Sequence, residues 1–243
     1  MVHVLNAPNE RGLAALAIEC TSLHVPGQEI PEYWLIQRRV LLHADRCQQL
    51  LRDVDNDGSR IWVPASLGRL YGDQGRLKEA EAMYERALQG KEKAWRSEHT
   101  STLDTVNNLT ALYKDQGWLK EAEAMYERAL QGYEKAWGPE HTLTLNTVNN
   151  LGLLYEDQGR LKEAEAMYER ALQGYEKALG DGVVTYVPFL NAVTNLGLLN
   201  ANTGQTARAR ELYTVALTGF RKVFGDRSDR HKQLEHLLDS LSN

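Results

Sequence analysis

The sequence predicts an all-α protein, a right-handed superhelical solenoid built from helical hairpins. The string LKEAEAMYERALQG occurs three times, starting at Leu77, Leu119 and Leu161, with a spacing of 42 residues. A fixed period in this range is typical of stacked-repeat proteins. Within each copy the apolar residues recur at intervals of three and four, which indicates an amphipathic helix. Such a chain presents an extended surface instead of a closed pocket, so we expect binding and not catalysis.

Composition and charge narrow the class of protein further. The 243 residues are 42% hydrophobic and 25% charged, which is typical of a soluble folded protein. The net charge of -5 does not favour nucleic acid or anionic lipid as a partner. The two cysteines, Cys20 and Cys47, are isolated, which favours a reducing compartment. Because no apolar run is long enough for a signal peptide or a membrane span, we expect a cytoplasmic protein.

Residues 1–60 precede the repeats and are predicted to form a helical connector or cap. The spacing of apolar residues predicts a short helix over Arg11–His24. A second helix is predicted from about Pro31 to Val54, since proline suits the first turn of a helix. The run Asp55–Gly58 then predicts a turn.

Four repeats are expected to follow, and their boundaries are predicted at 61–100, 101–142, 143–184 and 185–226. In the second repeat a first helix is predicted over roughly Thr102–Gln116, with Ser101 as its cap. Gly117 is expected to end that helix, because glycine accepts the left-handed conformation without a side-chain clash. The second helix is predicted from Leu119 to about Trp137.

Small and charged residues of the repeated string are expected to lie on different faces of the second helix. Ala122 and its counterparts are predicted to pack fully between helices, where their size lets backbones approach. The charged residues of the first copy, including Glu79 and Glu81, lie mostly off the apolar stripe and are expected to form a solvated outer face.

The fourth repeat departs from the others. Three extra residues are predicted to lie in a loop over Gly180–Pro188, and Asn200 stands where the second repeat has Tyr113. After it, residues 227–243 are predicted to form an amphipathic helix from about Ser228 that caps the open end of the stack.

The residues of the second repeat resemble those of a known family. Its leucine, tyrosine, glycine and alanine positions match the tetratricopeptide repeat, and these positions are Leu109, Tyr113, Gly117, Ala122, Tyr126 and Ala129. The longer period of 42 and the linker Gly138–Thr142 resemble the kinesin-light-chain type. The resemblance covers residues 61–224, and it implies non-covalent binding of protein partners.

A second resemblance concerns the segment before the repeats. Pro31–Trp34, Gln37–Arg39 and His43–Cys47 are similar to the connector that precedes the repeats in fungal NLR-like (NB-ARC/TPR) proteins. Those proteins carry a nucleotide-binding domain, but this chain contains no GxxxxGK[ST] string. The resemblance therefore implies a sensor or scaffold part without that domain.

The tetratricopeptide resemblance also implies a binding site in the concave groove, which the first helix of each hairpin lines. The implied peptide-binding residues are Asp104, Asn107, Asn108, Lys114, Asn146, Asn149, Asn150, Asn191 and Asn195. Asparagine carries two N–H donors and one acceptor, which match a peptide unit. Because asparagine is unfavourable inside helices, adjacent pairs in mid-helix call for a reason. Either both contact a ligand, or one of each pair bonds the neighbouring helix, with Asn108, Asn150 and Asn195 favoured for the ligand.

We therefore expect a protein-interaction scaffold that binds an extended peptide or a partner helix. The alternative is a self-association, sensor or regulatory module of an NLR-like signalling protein. No nucleophile or acid/base constellation is visible, so no enzyme activity and no cofactor are expected. Metal binding is not expected either, because the histidines lack neighbours at ligand spacing. His99 and His141 hold equivalent linker positions, which the repeat itself explains.

Overall fold

The computed structural model describes residues 33–54, 61–95, 97 and 99–241. Every regular element within those residues is a helix, so the predicted all-α hairpin fold is confirmed. The chain divides into two compact units, residues 1–116 and 117–243. The predicted helix over Arg11–His24 and the turn over Asp55–Gly58 lie outside the described residues.

The N-terminal unit contains four described helices, α1 (Tyr33–Val54), α2 (Val63–Asp73), α3 (Leu77–Trp95) and α4 (Thr100–Asp115). Helices α2 and α3 form a hairpin, and α4 packs against α3. Helix α1 lies against α2.

Polar side chains hold α1 to the first hairpin. Gln37 is fully buried and donates to Asp73 at 2.7 Å. Asp45 accepts hydrogen bonds from the Tyr71 hydroxyl at 3.2 Å and from Arg76 at 2.7 Å. Since a buried amide needs partners, the bond from Gln37 ties α1 to the end of α2.

The described residues of the C-terminal unit, 117–241, form six α-helices and one 3₁₀ helix. In order these are α5 (Leu119–Trp137), α6 (Thr142–Asp157), α7 (Leu161–Leu179), the 3₁₀ helix Gly180–Thr185, α8 (Val187–Asn202), α9 (Thr206–Phe224) and α10 (Asp229–Ser240). Helices α6 and α7 form one hairpin and α8 and α9 form another. Helix α10 packs on α9, and its Leu234 belongs to the apolar core of this unit.

Most predicted helix bounds agree with the structure to within two residues, and the three inserted residues lie after α7 as predicted. The predicted cap of α4 and the absence of regular structure after α7 are wrong. The cap of α4 is His99, not Ser101, because the His99 imidazole accepts a hydrogen bond from the Ser101 backbone N–H at 3.2 Å. The predicted loop after α7 contains the 3₁₀ helix, whose Val183 is buried.

Alanine, tyrosine and glycine determine how closely the helices of a hairpin approach. Ala122 is fully buried, as predicted, and so are Ala164 and Tyr168. A Cβ atom added to Gly152 of α6 would lie 2.6 Å from the ring of Tyr168. Glycine is therefore required for a tyrosine to lie flat between the two helices.

Charged residues of the repeated string also join neighbouring helices. Gln158 donates to Glu123 at 3.0 Å, and Arg160 donates to the same carboxylate at 2.6 Å. In the N-terminal unit Gln116 donates to Glu81 at 3.2 Å. The prediction of a solvated outer face is therefore wrong for Glu81, whose carboxylate bonds the end of the next helix. Its counterpart Glu123 bonds the turn between the next two helices in the same way.

Candidate peptide-binding groove

The candidate groove of the C-terminal unit is lined by α6 and α8, the first helices of its two complete hairpins. Five predicted site residues lie on them, Asn146, Asn149, Asn150, Asn191 and Asn195. Asn149 is 9% exposed, and its side-chain oxygen accepts a hydrogen bond from the Asn195 amide at 3.2 Å. The structure thus joins asparagines of successive hairpins, and one of the two, Asn195, is a residue that was favoured for the ligand.

The second asparagine of each pair is more accessible than the first. Asn108 on α4 is exposed, and Asn150 on α6 is half-buried. Neither makes a side-chain hydrogen bond to another described residue. Both amides therefore keep their two donors and one acceptor available for a ligand.

Asn146 and Asn191 occupy equivalent positions but have different partners. The Tyr175 hydroxyl donates to the side-chain oxygen of Asn146. Phe220 stands in the fourth repeat where the third has Tyr175, so no hydroxyl is present there. Arg230 of α10 donates to Asn191 instead, at 2.6 Å, and its guanidinium lies 5.3 Å from the centre of the Phe220 ring.

A cavity of about 330 Å³ opens beside this contact, between α8, α9 and α10. Amide and hydroxyl groups of Asn191, Asn195, Thr194 and Gln233 lie at its rim, with Arg230 among them. Its apolar lining consists of Leu198, Phe220, Leu234 and Leu237. A peptide side chain can enter such a pocket while its main chain meets the asparagine amides.

The N-terminal unit carries the other predicted residues, Asp104, Asn107, Asn108 and Lys114, all on α4. Asp104 is exposed. The buried Lys91 of α3 donates to the Ser101 carbonyl at 2.9 Å and to the Thr105 hydroxyl at 2.8 Å. Burial lowers the pKa of Lys91, and the charge of Asp104 opposes that shift.

Two residues at the groove were missed from the sequence, Arg230 and Phe220. Phe220 could have been found as the position where the repeated tyrosine changes to phenylalanine. Arg230 belongs to α10, which does not share the repeat, so no repeat position pointed to it.

Metal-ligand clusters and membrane spans were searched among the described residues. No group of three or more His, Cys, Asp or Glu side chains there could hold a metal ion. No single helix in that part of the chain is long and apolar enough to cross a membrane. By length and composition alone one bent pair meets the criterion, Leu161–Thr185 with Val187–Asn202.

Comparison with known families identifies the repeats. One model of the tetratricopeptide repeat matches residues 101–177. A second model of the same repeat matches residues 65–94 and 189–231. Together the two models match more than half of the chain. The chain is a tetratricopeptide-repeat protein.

Solved structures of other proteins share this fold. BtubC (BKLC) from P. vanneervenii is 20% identical, with a TM-score of 0.62 over 94% of this chain and 91% of that one. A putative kinesin light chain from Podosopora anserina, with nearly identical TPR-like repeats, is 21% identical. Its TM-score is 0.62, over 94% of this chain and 100% of that one. No curated protein sequence matches the chain.

A more distant solved structure has a higher TM-score than these two. Aspartyl phosphate phosphatase F from Bacillus subtilis is 14% identical, with a TM-score of 0.76 over 95% of this chain and 57% of that one. These likenesses show the fold alone. Tetratricopeptide repeats generally mediate protein–protein interaction.

Proposed function

We propose that this protein binds a partner protein as an extended peptide, or as a partner helix, on the first helices of its hairpins, above all in the groove lined by α6 and α8 of the C-terminal unit. The observation that carries the proposal is the available amide of Asn150 on α6 in the C-terminal unit. In the N-terminal unit the amide of Asn108 on α4 is available too. An asparagine side chain offers the same donor and acceptor as a peptide unit, so it can clamp a main chain of any sequence.

The stacking of the asparagines supports this proposal. Asn149 is buried and bonded to Asn195, so it is already used by the protein itself. Asn195 uses one N–H in that bond, and its second N–H and its oxygen remain for a ligand. Asn149 thus joins hairpins, Asn195 joins hairpins and keeps groups for a partner, and Asn150 is available in full.

The test is a variant with Asn108→Ala, Asn150→Ala and Asn195→Ala. A partner would first be identified by pull-down with the purified chain and reduced to a peptide by mapping. We expect the triple variant to lose binding of that peptide by isothermal titration calorimetry, with an unchanged circular dichroism spectrum. Asn202→Ala is the control, because Asn202 is exposed at the end of α8 and does not line the groove cavity.

Two results would count against the groove. If the triple variant bound the peptide as tightly as the control, the partner would bind elsewhere. If it lost its helical spectrum along with binding, the asparagines would be structural, as in the alternative in which one of each pair bonds a neighbouring helix.

A second candidate function is self-association, which the similarity to NLR-like proteins implies. Helix α1 favours it, because Leu35, Ile36 and Leu42 are 45%, 42% and 72% exposed. Exposed apolar side chains on one short segment are typical of interaction surfaces. We expect light scattering to show an average molecular mass that increases with protein concentration. The variant Leu42→Lys should show a smaller increase. A mass that stays monomeric at every concentration would exclude this candidate.

A further inference from the structure

The C-terminal unit contains a second cavity, of about 310 Å³, outside the groove residues described above. It lies between the linker that precedes α6 and the outer side of α7. Its lining includes Pro139, Leu145, Gln173, Gly174 and Lys177.

The next hairpin, α8 and α9, has a glycine and a leucine at the positions equivalent to Gly174 and Leu145. Gly219 of α9 corresponds to Gly174 of α7, and Leu190 of α8 corresponds to Leu145 of α6. A Cβ atom added to Gly174 would overlap the Leu145 side chain, and one added to Gly219 would overlap Leu190 in the same way. The two glycine–leucine contacts are therefore equivalent.

One difference separates the two places. At Gly219 an added Cβ would also lie 2.8 Å from the carbonyl oxygen of Val184, which belongs to the 3₁₀ helix. A Cβ atom added to Gly174 would lie closest to three side-chain atoms of Leu145, and no backbone atom outside α7 would be as close as 2.8 Å. The main chain of the protein itself thus covers the glycine of the fourth repeat, whereas the glycine of the third repeat faces the cavity.

Linker length explains the difference. The segment before α8, Gly180–Tyr186, is three residues longer than Gly138–His141, the segment before α6. The longer segment forms the 3₁₀ helix, which packs against α7, α8 and α9. The shorter one lines the cavity with Pro139 and brings no backbone atom as close to Gly174 as Val184 lies to Gly219.

The chemistry of the cavity suits an uncharged peptide segment. Arg170 and Lys177 on its rim are already paired with Glu134 and Glu140, so their charges are balanced. Gln173 is exposed and makes no side-chain hydrogen bond to another described residue. Its amide can bond a main chain, while Gly174 allows a carbonyl to approach and Leu145 offers an apolar floor.

We propose that this cavity binds a short non-helical loop of a partner protein, with a main-chain carbonyl over Gly174 and a small aliphatic residue beside it. The protein carries its own example of such an occupant, since Val184 presents its carbonyl to Gly219 in the equivalent place. This second binding site is separate from the groove and does not depend on the asparagines there.

The probe is the hexapeptide Gly-Asp-Gly-Val-Val-Thr, acetylated and amidated, which has the sequence of Gly180–Thr185. It would be added to the ¹⁵N-labelled full chain and followed by amide chemical shifts. We expect saturable shifts at Gln173, Gly174 and Lys177, with a Kd of about 1 mM for so short a peptide. The same peptide with both valines replaced by aspartate should cause none of these shifts.

Two substitutions on α7 form a matched pair. Gln173→Trp places an indole in the mouth of the cavity and should weaken binding at least about tenfold, which is ~1.4 kcal/mol. Glu176→Trp adds the same ring at an exposed position outside the cavity and should leave the Kd unchanged. A chain in which Gly138–His141 is exchanged for the sequence of Gly180–Tyr186 should fill its own cavity and also lose binding.

The proposal is overturned if the hexapeptide causes no saturable shift at these three amides at about ten times the expected Kd. It is also overturned if Gln173→Trp and Glu176→Trp bind the peptide equally, or if the shifts appear at Asn150 and Asn195 instead. The last result would assign the peptide to the groove and leave the groove proposal standing.

Discussion

Arg230 donates a hydrogen bond to the side-chain oxygen of Asn191 at 2.6 Å, and this bond ties the last helix to the groove side of α8. In the preceding repeat Asn146 holds the position of Asn191, and its side-chain oxygen accepts a hydrogen bond from the Tyr175 hydroxyl. The exchange of Tyr175 for Phe220 removes the hydroxyl and presents an apolar ring, over which the guanidinium lies. A cation over an aromatic face is favourable. The hydrogen bond from Arg230 to Asn191 and the contact of Arg230 with the Phe220 ring therefore offset the loss of the tyrosine hydroxyl bond.

Arg230→Ala should destabilise the protein by about 0.5–1 kcal/mol, because the bond is charge-assisted but exposed to solvent. Phe220→Tyr in the Arg230→Ala background should recover part of that loss, since its hydroxyl can then donate to Asn191 as Tyr175 does to Asn146. Urea unfolding of the two single variants and the double variant measures the coupling. Strict additivity of the two changes would show that Asn191 does not exchange partners in this way.

Tyr168 and Tyr213 hold equivalent positions, and we expect opposite effects when each loses its hydroxyl. Tyr168 donates to Glu156 at 3.0 Å, whereas the buried Tyr213 hydroxyl has no hydrogen-bond partner among the described residues. Tyr168→Phe should cost about 1 kcal/mol, and Tyr213→Phe should be neutral or stabilising, because it removes an unsatisfied buried polar group.

Thermal unfolding of the two phenylalanine variants side by side tests this expectation. Each is the control for the other, since both remove one oxygen from a tyrosine that is at most 1% exposed. Equal losses of stability would mean that Tyr213 has a partner equivalent to Glu156.

His141 caps α6, and we expect its replacement by alanine to destabilise the protein by about 1 kcal/mol. Its imidazole accepts a hydrogen bond from the Leu143 backbone N–H at 3.3 Å and packs edge-on against Trp137 at 3.9 Å between ring centres. His141→Asn should lose less than His141→Ala, because asparagine can accept the same bond. Chemical denaturation of the three proteins compares them, and an equal loss for both variants would assign the effect to the contact with Trp137.

Lys91 should make the stability of the N-terminal unit depend on pH. Burial lowers its pKa in the folded chain below the ordinary 10.5. At a pH between the lowered pKa of Lys91 in the folded chain and its ordinary pKa in the unfolded chain, only the unfolded chain still binds this proton. The free energy of unfolding therefore rises with pH in that range. Above about pH 10 the slope should reverse. The reason is that burial raises the pKa of Tyr71 and Tyr84, which keep their protons when folded and lose them when unfolded.

Lys91→Met is the variant that separates these effects. It should abolish the rise with pH and leave the fall at higher pH, because the tyrosines are unchanged. Urea titrations between about pH 8 and pH 11 measure both slopes. A rise that persists in Lys91→Met would have to come from another group.

The helices of the repeats were predictable from the sequence, because their signals are local. The bounds of α5, Leu119–Trp137, follow from the apolar spacing of the repeated string and from the glycines at either end. The burial of Ala122 follows from the same periodicity. The 3₁₀ helix was not predictable, because three inserted residues can fold in several ways and only their packing selects one.

The cap of α4 shows the limit of local signals. Ser101 followed by Asp104 is a common cap pattern, but His99 accepts the bond. Histidine is not a usual cap, and it acts as one here because the linker places its ring against Trp95, with ring centres 5.0 Å apart. The repeat pattern identified the linker, and the geometry of the linker chose the capping residue.

By itself the sequence determined that the chain folds into tetratricopeptide hairpins and which helix faces carry asparagine. Only the tertiary structure decided how those asparagines are used. Asn149 is bonded to Asn195, 46 residues away, and Asn191 to Arg230, 39 residues away, whereas the side chain of Asn150 bonds no described residue. Helix periodicity is a property of neighbouring residues, but a hydrogen bond between hairpins depends on how two distant helices pack, to within a few tenths of an ångström.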